Sequence, residues 1–132
     1  MITSDTICAQ ATAQGGAISV IRVSGQNAIE ITSRIFSKDI TKAKGYTLHY
    51  GHITDPQQEG ANIIDDVLVS VFRSPHSYTG EDSTEISCHG SRFIVQKILE
   101  ALIFSGARLA TPGEFTKRAF IAGKMDLSQA EA

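Results

Sequence analysis

The sequence predicts an α/β (α+β) domain built on a mixed sheet of about five strands with three helices. Three observations predict it. Runs rich in β-branched residues alternate in polarity, apolar residues recur at three- and four-residue intervals between and after those runs, and Gly, Pro, Ser and Asp clusters separate the two kinds of segment. The composition agrees: 132 residues, 42% hydrophobic and 20% charged, with a formal net charge of −2. That is one soluble globular domain, long enough to bury roughly two-thirds of its unfolded surface without a staple.

The first two strands are Thr6 to Ala11 and Ala17 to Ser24, joined by the short loop Thr12 to Gly16. Alternation along the second puts Ile18, Val20 and Arg22 on one face and Ser19, Ile21 and Val23 on the other, leaving Arg22 a cation on an apolar strand. A helix follows from Ser24-Gly25-Gln26 to about Phe36, with Ala28, Ile31 and Ile35 on one side. Beyond a basic loop, Lys38 to Gly45, come strands Tyr46 to Thr54 and Ile63 to Arg73. The second of these is apolar on both faces and is expected to be central and covered on both sides. Ser83 to His89 is the fifth strand, and Ser91 caps a helix whose stripe is Ile94, Val95, Ile98, Leu99 and Leu102. Ala107 to Ala110 has room for one more short strand. Thr111-Pro112-Gly113-Glu114 reads as a capping box with Pro at the first helical position, and Gly123 is placed to end that third helix. Asp126 caps good helix formers to Ala132 with no terminator, so the chain is expected to be a fragment cut where a second, helical region begins.

Composition excludes several classes. Cys8 and Cys88 lie 80 residues apart in a chain with a core of its own, which points to a reducing, cytoplasmic setting rather than a disulfide framework. There is no apolar run of membrane-spanning length and no basic region leading into one. The charge balance argues against a domain that holds nucleic acid by electrostatics. Gly15 and Gly16 stand between two strands rather than between strand and helix, and Gly123-Lys124 is followed by Met125, so neither makes a phosphate loop. Strand alternation turns His49 away from His52 and Cys88 away from His89, which disfavours a metal site or a Cys-His nucleophile.

Three charged residues, two on strands and one at a helix end, remain. Glu85 is mid-strand, Arg22 is mid-strand among Val and Ile, and Lys124 follows a helix terminus. They suit a solvated face or a structural ion pair. That is the reading pattern alone favours; the sharper one is a pocket in which a carboxylate accepts two parallel N–H bonds from a flat amidine-like heterocycle while cations take up carboxylates or carbonyl oxygens.

The runs Ser77-Tyr78-Thr79-Gly80-Glu81-Asp82 and His89-Gly90, and above all the unbroken stretch from Pro112-Gly113-Glu114-Phe115 through Gly123-Lys124-Met125-Asp126-Leu127 to Ala132, resemble the N-terminal domain of the MnmE (TrmE) family of tRNA modification GTPases. Asp5-Thr6-Ile7 and Ile21-Arg22-Val23-Ser24-Gly25 match too. The family's usual His-Gly-Gly reads His89-Gly90-Ser91, and its loop after Thr12 is shortened to Ala13-Gln14-Gly15-Gly16. The resemblance implies a fold similar to the folate-binding domains of the glycine-cleavage T-protein group, a folate-binding and dimerisation domain over residues 1–124, and the start of a helical domain over 125–132. It implies a tetrahydrofolate derivative as cofactor, 5-formyltetrahydrofolate or the methylene form, with contacts at Arg22, Glu85 and Lys124. It also implies a homodimer, the flavoprotein partner MnmG, and carboxymethylaminomethyl addition at the wobble uridine of certain tRNAs. Potassium, magnesium and GTP belong to a GTPase domain beyond Ala132, so no catalytic residue is assigned to this chain. The competing readings are a purely structural dimerisation module and a folate-dependent aminomethyltransferase-type domain.

Overall fold

The computed structural model describes residues 5–60 and 62–124. In chain order the elements are β1 (Ile7–Gln10), β2 (Ile18–Ser24), α1 (Ala28–Ile35), β3 (Thr47–Thr54), β4 (Ile63–Phe72), β5 (Ser83–His89), α2 (Arg92–Phe104), β6 (Arg108–Leu109) and α3 (Glu114–Ile121). The strands form one six-stranded sheet ordered β3-β4-β5-β2-β1-β6. Every pairing is antiparallel except β1 with β6, so the sheet is mixed as expected.

Side chains alternate across this sheet, and the two faces have different fates. Ile21 and Val23 of β2, Val67, Val69 and Val71 of β4, and Ile86 and Cys88 of β5 are buried. They share one core with Ala28, Ile31 and Ile35 of α1 and Val95, Ile98 and Leu102 of α2. Thr32 and Thr84 bring hydroxyls into that core, where their oxygens lie 2.7 Å apart and Thr32 also donates to the Ala28 carbonyl, so neither is left unpaired. The opposite face carries a row in register, Leu48, Ser70, Glu85 and Arg22, with Tyr50, Leu68, Ser87 and Val20 in the next row.

Several expectations need correcting. β4 is interior but stands next to the edge strand β3, and it is covered on one side only, since Leu68 is 40% exposed on the open face. A continuous apolar run therefore did not mean two buried faces here. α1 begins at Ala28 rather than near Ser24, because Ser24 is still paired with Ser83 as the last residue of β2. α2 begins as read, with the Ser91 hydroxyl accepting the Ile94 N–H at 3.3 Å. α3 starts after Gly113, whose left-handed φ of 77° breaks the chain direction between Pro112 and Glu114 and leaves Pro112 outside the helix. Glu114 does reach back to the Thr111 N–H at 2.9 Å, but the Thr111 hydroxyl donates to the same carboxylate instead of capping the helix. Gly123 ends α3 as read: at φ 76° it lets its own N–H reach the Phe120 carbonyl and the Lys124 N–H reach that of Ala119. The Asp126-capped helix and the region 125–132 lie outside the described residues. Among the described residues no helix is long and apolar enough to cross a membrane.

Candidate functional site

β2 and β5 pair so that Arg22 stands directly opposite Glu85 on the open face. The Arg22 Nε donates to Glu85 Oε2 at 3.0 Å, so the structural ion pair that the sequence allowed is present. Its surroundings make it more than a surface pair. The guanidinium lies over the Tyr78 ring, 4.6 Å from the centroid, and 5.5 Å from that of Phe115 at the start of α3. Only Nε of this guanidinium and one oxygen of Glu85 are used among the described residues, which leaves the Arg22 Nη groups and Glu85 Oε1 available.

Beside this pair is a concavity of about 350 Å³ lined by Tyr46, Phe72, Tyr78, Ser83, Glu85 and Lys124. The volume falls within the range of small-molecule sites, and the lining is mixed, with His76 and Ser77 joining Ser83, Glu85 and Lys124 as polar groups beside the three aromatic rings. The Tyr46 ring meets Phe72 edge-on at 6.1 Å and lies tilted against His76 at 6.2 Å. Tyr46 is also the sole non-glycine described residue with positive φ, 60°, a backbone strain of the sort that gathers at functional sites. Thus Glu85 and Lys124 face one concavity, and Arg22 abuts its Tyr78 wall.

A second charged group was not singled out in the sequence. Arg118 of α3 is 8% exposed, yet its guanidinium meets Asp5, Glu81 and Glu114. Arg108 meets Asp5 and Glu114 from the other side at 2.6 and 2.7 Å. Hydrogen bonds from Arg108 above all, opposed by desolvation and helped by Thr111, hold the Glu114 carboxyl down at about 2. A separate bond from Arg108, through Nε, holds Asp5 below the ordinary carboxylate range. The signal was there in part, since Glu114 and Arg118 are one helical turn apart; the partners Asp5 and Glu81 are distant in sequence and had no such mark.

Both cysteines are free and buried. Burial pushes the thiols of Cys8 and Cys88 up to about 11, with the Asp65 charge adding to the effect on Cys88. Such thiols are packing groups, not nucleophiles.

The family described as GTP-binding protein TrmE N-terminus matches residues 6–124. This chain belongs to the TrmE N-terminal family. Relatives of this TrmE-type chain include the tRNA modification GTPase MnmE of Bacteroides thetaiotaomicron, 60% identical over 99% of the chain and 28% of its own length. The protein of the same name from Flavobacterium psychrophilum is 57% identical over the whole chain and 29% of its own length. That from Thermoanaerobacter pseudethanolicus is 56% identical over 97% of the chain and 28% of its own length. The TrmE-type chain therefore spans under a third of these curated relatives.

Proposed function

We propose that this domain binds a tetrahydrofolate derivative in the concavity beside Glu85 and forms the homodimer of a tRNA modification GTPase. The observation that carries the reading is the meeting of Glu85, Lys124 and three aromatic rings around one concavity of about 350 Å³. A flat pterin suits it. Glu85 Oε1 accepts from one pterin N–H, and Oε2, held in place by Arg22, uses its second lone pair to accept from the other, so that the ring N–H and the exocyclic amine make two parallel charge-assisted bonds. Lys124 and the Arg22 Nη groups serve carbonyl oxygens or glutamyl carboxylates, and Tyr78 and Phe72 exclude water from the ring faces. When bound, the folate, as the 5-formyl or methylene form, supplies the one-carbon unit for the modification.

The name the relatives carry, tRNA modification GTPase, supports placing the domain in an enzyme of that kind; the rest of the assignment is proposed with it. In it, a GTPase domain using potassium and magnesium lies outside this chain, and the assembly works with the flavoprotein MnmG in the cytoplasm to add carboxymethylaminomethyl to the wobble uridine of certain tRNAs. Dimerisation through this domain is supported by the open sheet face, where Ile18, Tyr50 and Leu68 are 65%, 61% and 40% exposed around a shallow concavity.

Calorimetric titration with 5-formyltetrahydrofolate tests the site. Glu85→Gln is expected to weaken binding at least tenfold, because a hydrogen bond to a charged group contributes roughly 1.5–3 kcal/mol. Equal affinity in the two proteins removes Glu85 from the site. No binding by the wild type favours the purely structural dimerisation module.

A further inference from the structure

α3 is an eight-residue helix whose buried residues are Arg118 and Ala119, while its large apolar residues Phe120 and Ile121 are 43% and 66% exposed. A helix of two turns is not stable alone, and here its principal anchor is a guanidinium. Nη1 of Arg118 donates to the Asp5 carbonyl at 3.0 Å and to both Glu81 carboxylate oxygens at 3.2 and 3.1 Å. Nη2 donates to Asp5 Oδ1 at 2.8 Å and to Glu114 Oε2 at 3.4 Å.

The partners of those partners lead to the concavity. Glu81 accepts a bond from the Ser24 hydroxyl at 2.8 Å, and that hydroxyl lies 2.6 Å from the Thr79 hydroxyl, deep in the protein. Ser24 is two residues beyond Arg22 and pairs with Ser83, two residues before Glu85. The connection 74–82 is thereby fastened to the same strand ends that bear the Arg22–Glu85 pair. It carries Tyr78, whose hydroxyl lies 3.1 Å from that of Thr116 on α3. At the far end of α3 the Lys124 N–H is held by the carbonyl of Ala119, the neighbour of Arg118. There the connection runs so close that a Cβ on Gly80 would stand 2.8 Å from Ala122 Cβ and 3.7 Å from the Lys124 stem.

We propose that Arg118 is the positioning residue of the concavity: by clasping α3 to the 74–82 connection and to the N-terminal segment, it sets where Lys124 and Tyr78 stand relative to Glu85. The ligand side of this inference rests on the folate reading; its cause lies in contacts made without ligand. Three carboxylates, Asp5, Glu81 and Glu114, share the two guanidinium groups of Arg108 and Arg118. Without Arg118, Glu81 loses its cation, and among the described residues no ion pair is left to tie the connection to α3, only the Tyr78–Thr116 hydroxyl contact and the Arg22 guanidinium lying against the Tyr78 and Phe115 rings. Lysine keeps the charge but lacks the planar fork that serves Asp5 and Glu81 together.

The test uses two readouts on this chain. 5-Formyltetrahydrofolate is titrated calorimetrically into the wild type, Arg118→Met, Lys124→Ala and the double variant, and amide hydrogen exchange is followed without ligand. Each single substitution is expected to weaken binding at least tenfold, and Lys124→Ala to add less than threefold once Arg118 is replaced, the non-additivity of residues that act through one another. In ligand-free Arg118→Met, amides of residues 77–81 and 119–124 are expected to exchange at least tenfold faster, with those of β2 and β5 unchanged. Additive losses in binding, or exchange that rises uniformly or not at all, overturn the proposal. Should Arg118→Met fail to fold, Glu81→Gln, which keeps the Ser24 bond and removes the charge facing Arg118, is read by the same criteria. If the wild type binds no 5-formyltetrahydrofolate, the folate reading falls, and the exchange pattern alone decides the positioning role.

Discussion

Glu114 puts a measurable pH dependence on a single residue. Its carboxyl is held at about 2 by Arg108 and Thr111, against about 4.3 for an unfolded glutamate. A carboxylate with a depressed folded-state value contributes stability that is complete above the unfolded value and is lost as pH falls toward the folded one. Asp5, lowered by the same arginine, acts in the same direction. Urea unfolding midpoints of the wild type are therefore expected to drop between about pH 4.5 and 2, and Glu114→Gln to flatten part of that slope while losing about 2 kcal/mol at neutral pH. A variant whose profile parallels the wild type would show that Glu114 is not the titrating group. At this scale Arg22 and Glu85 were legible because strand alternation and a charge among valines are local signals. Arg118 was not, because two of its three acidic partners stand 37 and 113 residues away.

Among elements, the junction of β5 and α2 is the most sharply constrained. Gly90 donates its N–H to the Ala17 carbonyl, and a Cβ at Gly90 would run into the Gly16 carbonyl oxygen. The shortened loop 13–16 thus lies directly on the start of the helix. Gly90→Ala is expected to cost about 2 to 3 kcal/mol by forcing these backbones apart, against about 1 kcal/mol for Ser91→Ala, which removes one exposed cap bond. Equilibrium urea unfolding ranks the two, and the reverse order would refute the close approach. The elements themselves were readable wherever period and caps agreed, as in α2 and β5. They were misjudged where a neighbour decided: β2 keeps Ser24 through its pairing with Ser83, and the Gly113 backbone delays α3. The sequence pattern of β4 could not report which of its faces finds a cover.

At the scale of the whole molecule the sheet has one face closed by α1 and α2 and one face shared between the candidate pocket and an open apolar strip. If that strip joins two copies, Leu68→Asp leaves the monomer core untouched and raises the dimer dissociation constant at least tenfold in sedimentation equilibrium, since it sets two unpaired charges in an apolar contact. An unaltered dimer would assign the contact elsewhere. The contacts of Asp5 with Arg118 carry one further consequence. They close a span of 113 residues, and β1 lies between β2 and the late strand β6. A ribosome making this protein from its first residue can release β2 to β5 to pair early, but β1 keeps a bare edge until β6 emerges. The clasp at Arg118 completes later still, so the pocket is among the last features of this domain to form as the chain emerges.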